Sequence, residues 1–343
     1  MAKTNPGRFF EDYSVGQVIA HAVPRTLSGG ERALYHALYP ARHALCSSDE
    51  FARACGLPAA PLDDMIAFHT VFGKTVPDVS LNAVANLGYA EGRFLRPVWS
   101  GDTLRSESEV IGLKQNSNGK SGVVWVRTRG LNQNGEAVLE YVRWVMVRKR
   151  DLDAPAPETV IPDLAKAVEP ADLSVPEGLD FSGYDFTLAG EPHRWGDYEV
   201  GETIDHVDGV TVEEAEHMLA TRLWQNTAKV HFDATFRPDG RRLIYGGHVI
   251  SMARALSFNG LANAQIIVGL NGGAHANPCF AGDTVKAWTE VLDKADTPAP
   301  GVGAIRLRLV ATKGGAPFAL KGEDGKYLPE VLLDLDYWAL MPQ

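Results

Sequence analysis

Apolar and polar positions along this chain fall into two runs with the same order of signals, one on each side of a proline-studded stretch. In each run a short strand precedes a helix-start signal. Ser28-Gly-Gly-Glu31 and Thr211-Val-Glu-Glu214 both have the spacing in which two side chains satisfy opposite ends of a first helical turn. An irregular loop follows, then a second helix near 64–73 and near 248–259, rich in apolar and small residues. Long strands close each run. They are expected near 103–113, 122–131 and 136–149, and again near 284–293, 303–312 and 328–340. Asn118-Gly119 and Asn134-Gly135 separate the first set and predict type I′ hairpin turns. Arg306-Leu-Arg-Leu309 alternates as a sheet with one wet face requires, while Val142, Trp144 and Met146 share a face opposite Arg143.

The two runs are copies. Phe10-Glu-Asp-Tyr-Ser-Val-Gly-Gln17 recurs as Trp195-Gly-Asp-Tyr-Glu-Val-Gly-Glu202, and Trp99-Ser-Gly-Asp-Thr103 as Phe280-Ala-Gly-Asp-Thr284, at offsets of 181 to 185. A curved antiparallel sheet around one apolar helix is the hot-dog arrangement. The expected fold class is therefore α+β, a double hot-dog with two curved antiparallel sheets, each wrapped around a central helix. Residues 1–150 form the first domain and 194–343 the second. Pro155, Pro157, Pro162, Pro170 and Pro176 mark 151–193 as an extended linker.

Composition narrows the function classes. A chain of 343 residues is long for one core, as the duplication demands. A net charge of −10 argues against a nucleic-acid partner. Cys46, Cys55 and Cys279 give an odd count without metal-like spacing, which suits a reducing compartment. The first residues lack the apolar core of a signal peptide, and no later segment is apolar enough to span a bilayer, so a cytoplasmic location with no membrane partner is expected. No dinucleotide fingerprint follows a strand, no Gly-x-Ser-x-Gly elbow occurs, and His231-x-Asp233 alone does not make a metal site. Neither cofactor nor metal is expected.

The segment Asn226-Thr-Ala-Lys-Val-His231-Phe-Asp233, followed by Ile244-Tyr-Gly-Gly-His-Val249, resembles the signature of the MaoC-like (R)-specific enoyl-CoA hydratases. Their motif runs Gly-Asp-x-Asn-Pro-Leu-His-x-Asp and then Ala-His-Gly-Met. His231 and Asp233 match its His-x-Asp, and Gly247 matches its glycine. Asn226 stands where the family has an aspartate, and Ala228 and Lys229 replace its Asn-Pro. The first copy departs further: Cys46 stands opposite His231, Ala41 opposite Asn226 and Asp64 opposite Gly247, with His43 nearby but out of register. The resemblance therefore implies that the second half catalyses and the first half walls the acyl pocket. The run from Phe72 to Glu91, with Arg93-Phe-Leu-Arg-Pro97, is similar to the mesaconyl-CoA hydratase branch of this family. That implies reversible addition of water to mesaconyl-CoA, giving erythro-β-methylmalyl-CoA, with the acyl-CoA as the small-molecule substrate. A homo-oligomer is expected.

A conjugated thioester is electrophilic at Cβ and collects negative charge on its carbonyl oxygen during attack. Histidine titrates near neutral pH, so His231 is the candidate general acid and base. Asn226 can hold a water through its amide. The N–H of Gly247, at a helix start, can meet the enolate oxygen. Asp233, Tyr245 and His248 are candidate pocket residues, and Arg222, Arg42 and Lys229 are candidates for a free carboxylate. A hot-dog thioesterase, or an acyl-CoA binding protein without activity, would use the same fold and ligand.

Overall fold

The computed structural model describes residues 3–315 and 318–343. Ten strands form one sheet in the order β1-β3-β4-β5-β2-β7-β10-β9-β8-β6. The first half supplies β1 (Val18–Thr26), β2 (Ala83–Phe94), β3 (Thr103–Gln115), β4 (Ser121–Leu131) and β5 (Ala137–Arg148). The second supplies β6 (Thr203–Thr211), β7 (Ile266–His275), β8 (Thr284–Asp296), β9 (Val302–Lys313) and β10 (Val331–Pro342). The strand limits match the expected runs closely. The expected double hot-dog is present, five strands from each half, and the two curved sheets are continuous: Gly92 and Arg93 of β2 pair with Leu270 and Gly269 of β7 and join the halves edge to edge. Pairing there removes two open edges that would otherwise invite non-native strand addition.

Four helices matter for the site: α1 (Gly29–Leu38), α2 (Asp64–Thr75), α3 (Glu214–Leu223) and α4 (Gly246–Leu256). Helices α2 and α4 are the two central helices. Every residue of α2 from Met65 to Thr75 is buried, as is every residue of α4 from Gly247 to Leu256. A helix buried all round requires cover on all sides, which the curved sheet and the neighbouring helices supply. Phe68, Val71 and Phe72 of α2 share one hydrophobic core with Val249, Ile250 and Met252 of α4. Burying each such side chain contributes about 1.5–3 kcal/mol.

The first capping box forms as expected: Ser28 accepts from Gly30 N at 3.1 Å while Glu31 accepts from Ser28 N at 2.7 Å. The second does not. Helix α3 begins at Glu214 with Glu213 as its uncapped N-cap, and the Thr211 hydroxyl instead meets Thr284 at 2.9 Å across β6 and β8. Thr211 is still in the strand, so its side chain faces the neighbouring strand and not the helix start. The hairpin turns also differ. Gly119 and Gly135 have positive φ, but Asn118 and Asn134 do not, and Gly119 N and Gly135 N bond back to Asn116 O and Asn132 O. Each is therefore a turn closed by a left-handed glycine, not type I′, which needs positive φ at both central residues.

The Arg306 to Leu309 alternation holds. Leu307 and Leu309 are fully buried, while Arg306 pairs with Asp336 at 2.6 Å and Arg308 with Glu290 at 3.1 Å. On β5 the same period runs less intuitively. Trp144 and Met146 are half-buried on the outer face, and Arg143 points inward with Tyr141 and Val145. Residues 151–193 contribute two single-turn helices, Pro170–Asp172 and Phe186–Ala189, and one bridge from Val160 to Leu113, and Val168, Leu179, Phe181 and Tyr184 pack against Ile266, Val268, Trp338 and Leu340. Among the described residues no helix is long and apolar enough to cross a membrane.

Candidate active site

A cavity of about 310 Å³ opens between the halves beside the start of α4. Its wall includes Asn226, His231, Tyr245, Gly246 and His275 from the second half, and Phe72, Asn86, Tyr89 and Arg143 from the first.

Asn226 follows the end of α3 in a tight turn. Gln225 takes a left-handed φ of 56°, and Asn226 N bonds to Thr221 O at 2.9 Å. The turn lies directly on α2 at Gly73, where a Cβ would sit 1.7 Å from the Trp224 carbonyl oxygen. Glycine is thus required at 73 for Asn226 to reach the cavity. The Asn226 side chain is buried, and its Oδ1 accepts from Ala228 N at 3.3 Å.

His231 has one defined tautomer. Its Nδ1 lies 2.7 Å from the Leu243 carbonyl oxygen, which can only accept, so Nδ1 carries the proton and Nε2 keeps a lone pair. Burial lowers its pKa below the usual imidazole value, partly opposed by the bond to Leu243. The ring is therefore neutral at pH 7, with Nε2 free to take a proton.

The start of α4 is open. Tyr245 is its N-cap and provides no side-chain cap, so the first N–H groups have no intrahelical acceptor. Gly246 lines the cavity, and Gly247 is buried one residue further in. Both positions exclude a side chain: a Cβ at Gly246 would lie 2.4 Å from the His275 ring, and one at Gly247 would lie 2.4 Å from the Tyr245 ring. The loop before the helix is fixed by His217, whose Nε2 accepts from Tyr245 N at 2.9 Å. Tyr245 Oη in turn meets His69 Nδ1 at 3.2 Å.

The equivalent helix start in the first half is closed. Asp63 caps α2 by accepting from Met65 N at 2.9 Å, and Asp64 accepts from Ile267 N at 2.7 Å. His43 is buried and accepts from Arg254 Nη1 at 2.6 Å. Burial and that guanidinium push its pKa well below the usual range. Cys46 is buried as well. At the N-cap and first helical position α2 has Asp63 and Asp64 where α4 has Tyr245 and Gly246, so carboxylates occupy the helix start that is open in the second half.

The cavity brings together Asn226, His231 and Tyr245, with Gly247 directly behind Gly246. Four other candidates lie elsewhere. Asp233 faces solvent and caps a short turn, accepting from Thr235 N at 2.9 Å, as an aspartate before a turn commonly does. His248 points away from the cavity into the core, where Nδ1 meets Tyr39 Oη at 2.9 Å, because the third residue of α4 faces α1. Arg222 is exposed and bonds back to Met218 O within α3. Arg42 is exposed and stacks 4.4 Å over Phe258. Lys229 is exposed but does line the cavity mouth. Among the described residues no group of three or more His, Cys, Asp or Glu is arranged to hold a metal.

Three cavity residues escaped the sequence reading. His275 Nε2 lies 3.2 Å from Tyr89 Oη, and burial lowers its pKa to about 4. Arg143 is fully buried on the inner face of β5. Their one signal was a polar residue within strands that are otherwise apolar on that face.

The profile of the mesaconyl-CoA hydratase family matches residues 1–317. A mesaconyl-CoA hydratase of Cereibacter sphaeroides is 80% identical over 342 residues, covering 99% of this chain and 100% of that protein. A β-methylmalyl-CoA dehydratase of Chloroflexus aurantiacus is 58% identical, covering 100% and 99%. The crystal structure of a MaoC domain dehydratase from Chloroflexus aurantiacus superposes with a TM-score of 0.98 at 57% identity, covering 100% of this chain and 99% of that one. A double hot-dog protein of Mycobacterium tuberculosis gives 0.76 at 25% identity, covering 98% of both.

Proposed function

This chain belongs to the mesaconyl-CoA hydratase family and is a hydro-lyase of the MaoC-like type; from that premise we propose that it adds water reversibly to mesaconyl-CoA to give erythro-β-methylmalyl-CoA. The observation that carries the reading is a neutral histidine with a free Nε2 sharing one cavity with an open helix start. His231 Nε2 takes a proton from water as the oxygen bonds to Cβ, the π electrons move toward the thioester, and the enolate oxygen is met by N–H groups of the first turn of α4, at Gly246 and Gly247. The imidazolium then returns its proton at Cα. No external acid, base or redox partner is needed. Asn226 holds the water, since its amide can accept from and donate to one molecule.

The test is incubation of the protein with mesaconyl-CoA. Loss of the enoyl-thioester absorbance without release of free thiol is the expected result. Release of CoA thiol would make the protein a thioesterase, and no change in either signal would refute the hydration.

Asn226 offers a second, finer check. Asn226→Asp should keep activity, because a carboxylate can still accept from Ala228 N and from water. Asn226→Leu should lose roughly ten- to hundredfold in kcat, the cost of one lost polar contact in a buried site. The added carboxylate also favours protonated His231, so the acid limb of kcat against pH should move to higher pH in Asn226→Asp. Wild-type activity in Asn226→Leu would remove this residue from the mechanism.

A further inference from the structure

Arg143 is a buried cation without a counter-charge. It is 0% exposed, between Tyr141 and Val145 on the inner face of β5, and it lines the cavity. Its Nη2 donates to Thr75 Oγ1 at 2.7 Å, and its Cζ lies 4.3 Å over the Phe72 ring. Nε and Nη1 have no hydrogen-bond partner among the described residues. No carboxylate there lies within 4.0 Å of it, and residues 1, 2, 316 and 317 carry no acidic side chain. An unpaired buried charge is strongly unfavourable, and an apolar residue of similar volume would stabilise the fold more. Such a residue makes physical sense where a ligand brings the opposite charge.

We propose that Arg143 receives the free carboxylate of the acyl group and so makes this site select dicarboxylic over monocarboxylic enoyl-CoA thioesters, an assignment that rests on the acyl-CoA reading above. The guanidinium is a planar fork that matches a carboxylate with two parallel donors. Thr75 takes one of the two Nη2 hydrogens and Phe72 covers one face, so the second Nη2 hydrogen, paired with Nε or Nη1, leaves one parallel pair of donors open to a carboxylate. Asn86, on the neighbouring strand β2, lines the same cavity with both side-chain amide atoms unpaired, and supplies a neutral donor beside the fork. Among the described residues Lys229 is the other Lys or Arg on the cavity wall, and it sits exposed at the mouth.

The placement suits a four-carbon chain. Arg143 stands opposite Tyr89 across β5 and β2, so the two side chains share a face, and Tyr89 Oη meets His275 beside Gly246. Phe72, under the guanidinium, lies 5.8 Å from the Tyr245 ring, which lies 5.9 Å from the His231 ring. An acyl group with its thioester oxygen at the start of α4 would point its far end across the cavity toward the first half. In mesaconyl-CoA that end is a carboxylate on the very carbon that takes the hydroxyl. Holding it fixes Cβ against the water, so the half without catalytic groups would set both specificity and alignment.

Binding and turnover together test this in the full chain. Wild-type protein should bind succinyl-CoA well above butyryl-CoA by calorimetry, and should hydrate mesaconyl-CoA far better than 2-methylcrotonyl-CoA, in which a methyl replaces the carboxylate. Arg143→Gln should lose roughly a hundredfold in succinyl-CoA affinity and in mesaconyl-CoA kcat/KM, as expected for a charge-assisted pair. Butyryl-CoA affinity and 2-methylcrotonyl-CoA turnover should stay level or rise, and Arg143→Lys should recover part of the preference. The melting temperature of Arg143→Gln should not fall, since a buried unpaired charge is removed. Equal losses with both ligand pairs, or an unchanged preference, would overturn the assignment. A wild type that hydrates neither substrate would refute the hydratase reading alone, because the calorimetric preference and its loss are measured without turnover.

Discussion

His231→Gln is expected to abolish hydration of mesaconyl-CoA while leaving the fold intact, with kcat down by about a thousandfold or more, within the usual range for a lost general acid–base. Glutamine can keep the donor to the Leu243 carbonyl that now comes from Nδ1, so the local backbone has no reason to move. What it cannot do is accept and return a proton near neutral pH. The same cavity holds a second imidazole, and His275 is the natural control. Its Nε2 is already engaged by Tyr89 Oη, and burial holds it neutral down to about pH 4, so His275→Gln should lose much less. A larger loss in His275→Gln than in His231→Gln would reverse the two roles. For the wild type, the depressed pKa of His231 places the acid limb of kcat/KM below pH 6.5, where a solvated imidazole would already be half protonated.

How much of this was legible beforehand depends on which forces are local. The duplication, both central helices and six of the long strands follow from period and turn chemistry. Strands β2 and β7 were not separately legible, because Gly88, Gly92, Gly269, Gly272 and Gly273 interrupt their apolar pattern. Those glycines serve contacts made only after folding: a Cβ at Gly92 would fall 2.6 Å from the Leu270 side chain at the seam between the halves. Missing the two seam strands meant missing Tyr89 and His275, which they carry into the cavity. Arg143 shows a different limit. Period-2 alternation put it on the face opposite Val142, Trp144 and Met146, but alternation says nothing about which face holds water, and Arg143 lies on the buried one. The misplaced candidates share one cause. Asp233, His248 and Arg222 stand near the motif in sequence, and Arg42 near its first-half counterpart, while the direction of each side chain is set by its own turn or helix face.

Acid should unfold this protein early, because its core is built on neutral histidines. His69, His206, His217 and His248 are all at most 1% exposed, and burial depresses each of them, His69 and His217 to about 3 and His206 and His248 to about 4. Above pH 6.5 these rings are neutral in both folded and unfolded chains, so their contribution is constant. Below it the unfolded chain takes up protons that the folded one refuses, and stability falls until the folded pKa values are reached. Each ring removes about 1.4 kcal/mol per pH unit across that window. Four together would consume a typical stability of about 5–15 kcal/mol between roughly pH 6 and pH 4. Asp63, Asp64 and Glu191 oppose this, since burial raises their pKa values and their protonation favours the fold, but burial depresses His36, His43, His231 and His275 as well, which adds to the loss. His217 gives the loss a structural route. Its Nε2 accepts from Tyr245 N, and a proton there would set one N–H against another and release the loop that leads into α4. Denaturant titrations at pH 7.5, 6.0 and 5.0 should therefore show a steep decline with net proton uptake on unfolding, and His206→Asn, far from the cavity, should lessen the slope. Stability that stays level from pH 7.5 to 4.5 would mean that these rings are hydrated or charged in the folded protein.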